Sequence, residues 1–278
     1  MPELPEVETM KRDLSPRIVG RCFAGVTLNW PRAVQTPSPE EFCNRLQGLC
    51  IDEIDRRGKY LIFRLANSEA LVLHFRMSGS LLLDSRGASD PYIRTVFHLD
   101  NGAGLYFRDP RKLGLVWLVA DENTVVGKLG PEPLDPAFTA ADLGEWSKRY
   151  SAPIKAVLCD QRFLAGIGNM YADETLFAAS LHPLRATNSL SADEVERLYK
   201  AIHRVLEKAI GSYGASINDY RRPNGEPGTA QAIFKVAHRV GKPCPVCGTI
   251  IERIPIRQRG AYFCPNCQRN SQISSQTP

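Results

Sequence analysis

Cys244-Pro245-Val246-Cys247 is followed, sixteen intervening residues later, by Cys264-Pro265-Asn266-Cys267. Two C-x2-C knuckles at this separation can complete one tetrahedral thiolate site for Zn2+; a redox pair or two disulfides are the alternatives. Gly248 supplies the positive φ that a tight knuckle wants. Four protein ligands would close such a site, which makes the metal structural. The spacer reads as a hairpin whose tip carries Arg257, Gln258, Arg259 and Gly260. A metal-braced basic tip suits a phosphate or a groove, and equally well an ordinary solvated turn.

The surrounding charge favours the first use. Between Arg221 and Asn270 nine basic residues stand against two acidic ones, so this window carries +7 while the whole 278-residue chain is only +5. Four thiolates on one Zn2+ contribute about −2, and the window keeps roughly +5. A basic module on a near-neutral body points to a polyanion, nucleic acid ahead of an anionic membrane. The 43% hydrophobic and 23% charged composition excludes disordered and fibrous classes, and the length suggests about two domains. No apolar run reaches the roughly 18 residues of a spanning helix. The start, Met1-Pro2-Glu3-Leu4-Pro5-Glu6, is acidic where a signal or transit peptide is basic, so a cytoplasmic protein is expected. The remaining cysteines, Cys22, Cys43, Cys50 and Cys159, lie among apolar neighbours and are expected as small, reduced core residues.

Val7, Met10, Leu14 and Ile18 recur at helical spacing, predicting a helix over 3–18 that Gly20 closes. Residues 22–120 are strand-like, with segments at 59–65, 70–75, 95–99, 105–107 and 115–119, and Asp100-Asn101-Gly102 marks a hairpin. Ser38-Pro39 caps a short helix at about 39–47. The N-terminal part is therefore expected to be a β-sandwich with helices at its edge. A Pro-rich break at 129–136 introduces helices near 139–149, 153–160, 169–180 and 191–211, the last opened by the capping box Ser191-Ala192-Asp193-Glu194. Residues 220–228 read as an exposed basic loop and 271–278 as a polar tail. The fold class is α+β, with domains at 1–130, 131–228 and 229–270.

At the other end, methionine before proline is a good substrate for methionine removal, which would leave Pro2 with a free secondary amine. An α-amino group has a pKa of about 7.7–8.0 against about 10.4 for lysine, so much more of it is nucleophilic near neutrality. It can form a Schiff base with an aldehyde-like carbon, as a sugar C1′ can become. Glu3 and Glu6 lie on the adjacent helical turn, where one can move a proton while the other orients the chain end. Proline and acid are also ordinary at a helix start, and composition alone favours that reading.

Pro2-Glu3-Leu4-Pro5-Glu6-Val7-Glu8, Arg57-Gly58-Lys59-Tyr60-Leu61, His74-Phe75-Arg76-Met77-Ser78-Gly79-Ser80-Leu81, Asp109-Pro110-Arg111, Leu129-Gly130-Pro131-Glu132-Pro133-Leu134, Gly166-Ile167-Gly168-Asn169-Met170-Tyr171-Ala172 and the cysteine module follow one another in an order that resembles the formamidopyrimidine-DNA glycosylase family. The resemblance covers nearly the whole chain. It implies an N-terminal β-sandwich with edge helices, a helical domain with a helix-two-turn-helix motif and a C-terminal zinc-finger β-hairpin holding one structural Zn2+ on Cys244, Cys247, Cys264 and Cys267. It also implies a monomeric, bifunctional glycosylase and abasic-site lyase acting on 8-oxoguanine and formamidopyrimidines in double-stranded DNA, nucleoid-associated when bound. Base extrusion into a pocket belongs to this chemistry, because C1′ is unreachable inside the stack.

By the same resemblance Pro2 attacks C1′, Glu3 donates a proton in sugar-ring opening, Glu6 holds the N-terminal turn, and Lys59 serves β-elimination and a phosphate. Arg259 contacts phosphates flanking the lesion and donates a proton in δ-elimination, and Asn169 binds a phosphate at a helix start, a position that suits anions on physical grounds. Lys155 and the loop 216–226 lie where the family meets the flipped base and its backbone. Met77 and Arg111 match two of three side chains that fill the vacated stack, Arg111 facing the orphaned base. The third departs from the pattern: Leu113, which fills space but offers no flat face to stack, stands where the family usually has Phe. Tyr92 falls near a position where many members have a DNA-contacting His. An endonuclease VIII-like enzyme for oxidised pyrimidines is the nearest alternative; Leu4 and the stretch from Met77 to Ser80 favour the purine branch. A non-catalytic DNA-binding paralogue is the alternative of a different class, and the presence of Pro2, Glu3, Lys59 and Arg259 together argues against it. Zinc ribbons of ribosomal and transcription proteins leave the N-terminal pattern unexplained.

Overall fold

Helix α1 (Leu4–Ile18) forms where the apolar spacing predicts it, and what starts it is the acid pair of its first turn. Glu3 is the N-cap, its side chain accepting the Glu6 N–H while the Glu6 carboxylate accepts the Glu3 N–H, a capping box built from two glutamates. Val7, Met10, Leu14 and Ile18 are buried. This computed structural model describes residues 1–83 and 90–269; the polar tail 271–278 lies outside the described residues. The chain divides into two compact units, residues 1–128 with 209–231, and 129–208 with the described residues after 231.

In the first unit, strands β1 (Phe23–Leu28), β7 (Ile93–Leu99), β8 (Gly104–Arg108) and β6 (Ser80–Leu83) form one sheet in the order β1-β7-β8-β6. Strands β2 (Val34–Thr36), β9 (Leu115–Val119), β5 (Ala70–His74), β4 (Tyr60–Leu65) and β3 (Ile51–Arg57) form a second, ordered β2-β9-β5-β4-β3. Only the short β2–β9 pair is parallel among the described strands. Inward residues of both sheets, Phe23, Phe97 and Phe107 from one and Leu61, Phe63 and Leu73 from the other, join α1 and α2 (Pro39–Leu46) in one buried cluster, the sandwich core. Ser38 caps α2 through the Glu41 N–H, and Asp100-Asn101-Gly102 closes the β7–β8 hairpin, where Leu99 donates to the Ala103 carbonyl.

Two expectations are corrected in this unit. Cys22 and Cys50, expected as separate reduced core residues, are bonded to each other. Phe23 N–H donates to Leu49 and Ile51 N–H to Arg21, so an antiparallel bridge sets the two cysteines directly opposite. The segment 220–228 is exposed only around Gly225 to Pro227. Tyr220 is buried, because its ring enters the sandwich core, and the Pro223 carbonyl accepts the Leu83 N–H.

The second unit holds α4 (Ala140–Ser147), α5 (Ile154–Leu158), α6 (Asn169–Ala178) and most of α7 (Ala192–Gly211), the short α3 (Asn123–Val126) belonging to the first. Strands β10 (Glu252–Ile256) and β11 (Arg259–Phe263) form the hairpin between the cysteine knuckles. Helix α6 buries Asp173 and Glu174. The Glu174 carboxylate offsets its desolvation by accepting the N–H groups of Lys235, Val236 and Ala237 at 2.8–2.9 Å. In the same way Gln268 accepts the Cys264 N–H and donates to the Leu181 carbonyl. The cysteine module is thereby fixed to the helices of its own unit.

Candidate active site and nucleic-acid interface

Pro2, Glu3 and Glu6 are brought together at the start of α1, Glu3 only 1% exposed and Glu6 fully buried. The Glu3 N–H reaches Glu6 Oε2 at 2.7 Å, and Glu6 Oε1 accepts the Ala215 N–H at 2.7 Å. Glu6 thus commits its carboxylate to backbone donors, and these fix the direction in which residue 2 points. With Met1 attached, the Pro2 nitrogen is a tertiary amide without a free lone pair for attack; removal of Met1, which is 40% exposed, creates the amine.

Lys59 sits in the tight turn joining β3 to β4, where Arg57 pairs with Tyr60. Gly58 has φ +57 there, which costs other residues a steric penalty. Arg56 ties the turn to α1, donating to Glu8 at 2.9 Å and to the Gly58 carbonyl at 3.1 Å. Burial alone would raise the Glu8 pKa, but the Arg12 and Arg56 guanidiniums outweigh it and hold the carboxyl below its usual value. Burial, reinforced by the charges of Arg76 and Lys59, lowers the His74 pKa to about 3. The neutral ring accepts the Arg76 N–H on Nδ1 at 3.1 Å. His74 lies within a quoted motif, but nothing in the sequence gives it this role.

Met77, Tyr92 and Leu113 stand 45%, 43% and 41% exposed, and Arg111 is exposed beside Leu113. Exposed apolar side chains around a cation are what insertion into a base stack requires. The turn bearing Arg111 and Leu113 is shaped by Asp109, to which the sequence reading assigns no function. Asp109, 1% exposed, accepts the Ser78 hydroxyl at 2.5 Å and the Arg111 N–H at 3.2 Å on one oxygen, and the Leu113 and Gly114 N–H groups, each at 2.6 Å, on the other. Tyr92 lies beneath two guanidiniums, Arg108 and Arg94 standing 5.2 and 5.8 Å from its ring centre.

In the second unit Asn169 begins α6 just after Gly166, whose φ of +88 shapes the turn. Its Nδ2 donates to the Gly260 carbonyl at 3.0 Å, next to Arg259 at the head of β11. Asn169 and Arg259 are therefore one locality. A cavity of about 480 Å³ opens beside Arg259, its lining including Cys159, Asp160, Arg162, Arg257 and Arg259, so that three arginines and one aspartate border it. Lys155, expected near the flipped base, is 1% exposed; its ammonium bonds Asp173 and the Asn169 carbonyl, each at 2.6 Å. Burial raises the Asp173 pKa to about 7 against the opposing pull of Lys155. The hairpin tip is strained, since Arg257 and Gln258 have φ of +43 and +65 without being glycine.

Cys244, Cys247, Cys264 and Cys267 converge with all four Sγ atoms within 4.8 Å of one another. That spacing and an all-thiolate donor set fit one tetrahedral Zn2+. Gly248, φ +76, lets its N–H return to the Cys244 carbonyl and close the first knuckle. No helix among the described residues is long and apolar enough to cross a membrane.

Three family models match. The formamidopyrimidine-DNA glycosylase N-terminal domain covers residues 1–116, the helix-two-turn-helix domain of the same glycosylases 129–221, and the zinc finger found in these enzymes and in isoleucyl-tRNA synthetase 241–270. The formamidopyrimidine-DNA glycosylase of Symbiobacterium thermophilum is 46% identical over 96% of this chain and 89% of its own length, and that of Protochlamydia amoebophila 40% identical over 97% and 100%. Among solved structures, the MutM (Fpg) protein of Thermus thermophilus is 40% identical with a TM-score of 0.87, covering 96% of this chain and 98% of that one. Lactococcus lactis Fpg in complex with abasic-site DNA is 34% identical with a TM-score of 0.90, covering 96% and 100%.

Proposed function

The chain belongs to the formamidopyrimidine-DNA glycosylase family, and from that premise we propose which of its residues carry each step. The activity is that of a base-excision repair glycosylase and abasic-site lyase, acting on oxidised purines in double-stranded DNA and carrying one structural zinc. Pro2, freed of Met1, attacks C1′ of the extruded nucleotide; the C1′–N bond breaks and the base leaves with the bonding pair. Glu3 hands a proton to the ring oxygen as the C1′–O4′ bond breaks, and the opened sugar is left as an iminium on the Pro2 nitrogen. This iminium draws electron density from C2′, so loss of the C2′ proton expels the 3′ phosphate, and a second elimination expels the 5′ phosphate. Lys59 and Arg259 serve the eliminations and the flanking phosphates, Asn169 holds a phosphate, Met77, Arg111 and Leu113 fill the vacated stack, and Tyr92 meets the backbone.

The observation that carries this reading is the Glu3–Glu6 capping box, which buries two carboxylates beside an N-terminal proline and commits one of them to aiming the chain end. The triple-arginine cavity at Arg259, whose neighbour Gly260 is bonded by Asn169, supports the phosphate roles. The functional domains run over 1–130, 131–228 and 229–270, and we place the protein as a monomer in the cytoplasm, on the nucleoid when bound. Excision of 8-oxoguanine opposite cytosine should exceed excision of thymine glycol under single-turnover conditions; faster thymine glycol cleavage would move the chain to the pyrimidine branch.

A further inference from the structure

Residues 209–231 return to the unit that contains α1, and one side chain buckles them to it. Arg222 places Nε 2.9 Å and Nη2 3.0 Å from the two carboxylate oxygens of Asp13 on α1. The same guanidinium lies 3.8 Å from the centre of the Tyr213 ring. Arg222 and Asp13 are 15% and 19% exposed, and a covered, bidentate, stacked pair keeps strength that a solvated one loses.

Between these anchors the segment meets the start of α1. Ala215 donates its N–H to Glu6 Oε1, and Tyr220 donates its hydroxyl to the Glu6 carbonyl at 3.4 Å and to that of Tyr213 at 3.3 Å. The backbone passes so close that a Cβ on Gly214 would stand 2.8 Å from Glu6 Oε1. The other Glu6 oxygen holds the Glu3 N–H. Contacts thus lead from Asp13 through Arg222 to Tyr213, the backbone runs on from Tyr213 to Ala215, and contacts lead from there through Glu6 to the residue after Pro2.

We propose that Arg222 is a positioning residue for the N-terminal nucleophile: it straps the 212–223 segment onto α1 so that Ala215 keeps Glu6, and Glu6 keeps Glu3 and Pro2, in register for attack. The inference rests on Pro2 being the nucleophile. Arg222 acts through the protein and has no need to touch DNA.

The test is single-turnover borohydride trapping on a duplex with a pre-formed abasic site, over a range of enzyme concentrations that separates the saturated rate from the half-saturating concentration. Arg222→Ala should lower the saturated rate about 10- to 100-fold, the upper end being the scale of a reacting group misplaced by about 1 Å, with the half-saturating concentration unchanged. Arg222→Lys should fall between, since an ammonium cannot pair bidentately, and the swap Asp13→Arg/Arg222→Asp should regain most of the rate. Hydrogen exchange of the Glu3 and Ala215 amides, read without DNA, should quicken in Arg222→Ala and in Arg222→Lys. An unchanged saturated rate overturns the proposal, as does a rise in half-saturating concentration alone, which would make Arg222 a DNA contact. Should wild-type protein lacking Met1 fail to trap at all, the Pro2 reading falls, and the exchange measurement still decides the strap: unaltered amides in both variants refute it.

Discussion

Asp109 offers the sharpest link between a buried group and the DNA-facing turn. Its two oxygens receive four donors, Ser78 and Arg111 on one, Leu113 and Gly114 on the other. In Asp109→Asn the new NH2 should turn toward Ser78, whose hydroxyl can accept, so that the remaining oxygen keeps the Leu113 and Gly114 bonds. The loss is mainly the charge assistance and one weak bond, about 1.5–3 kcal/mol. Asp109→Ala removes every acceptor; solvent can reach the donors of exposed Arg111 and Leu113, but those of buried Ser78 and Gly114 are left stranded, for about 3–5 kcal/mol. Urea unfolding in a Trp146→Phe background, where the remaining tryptophans Trp30 and Trp117 both lie in the first unit, gives the stability of that unit by fluorescence, and titration with a duplex carrying an abasic-site analogue gives the effect on the turn that holds Arg111 and Leu113. Asn should bind more weakly than wild type and Ala more weakly again. An Ala variant within about 1 kcal/mol of wild type, or one that binds the duplex normally, would refute the argument.

Three further outcomes are expected. His74 is held neutral by burial and by the charges of Arg76 and Lys59, near 3 in the folded protein against about 6.5 unfolded; its contribution to stability is complete above pH 6.5 and is lost as pH falls, about 2 kcal/mol between pH 7.5 and 5. His74→Gln should remove that slope in urea midpoints measured across the range. Leu113→Phe should tighten binding to lesion duplex by adding a stacking face, leaving the trapping rate on a pre-formed abasic site unchanged; equal binding in a direct titration would count against it. Stripping Zn2+ with a chelator should free the Arg259 hairpin, weakening DNA binding and flattening its salt dependence, because phosphate contacts set that slope.

What is legible in the chain is what short-range spacing can carry. The four cysteines, the α1 stripe and the β7–β8 turn each declare themselves within a few residues. Pairings between distant segments are not legible. Cys22 and Cys50 meet only because β1 and β3 are brought edge to edge. Nothing around Lys155 in the sequence shows that its ammonium pairs with Asp173, a partner supplied by another helix. Arg222 reads as one more basic loop residue until Asp13 on α1 is seen to face it. In each instance the missing quantity is a long-range contact that neither propensity nor charge patterning contains.

The central claim is that the amine of Pro2 does the chemistry. The measurement that addresses it is peptide mass mapping of the adduct formed when protein whose intact mass shows loss of Met1 is reduced with borohydride on an 8-oxoguanine duplex. The expected result is a single sugar adduct on the N-terminal peptide, at residue 2, absent from protein that retains Met1. An adduct on Lys59, or none from protein with a free N-terminal proline, would contradict it.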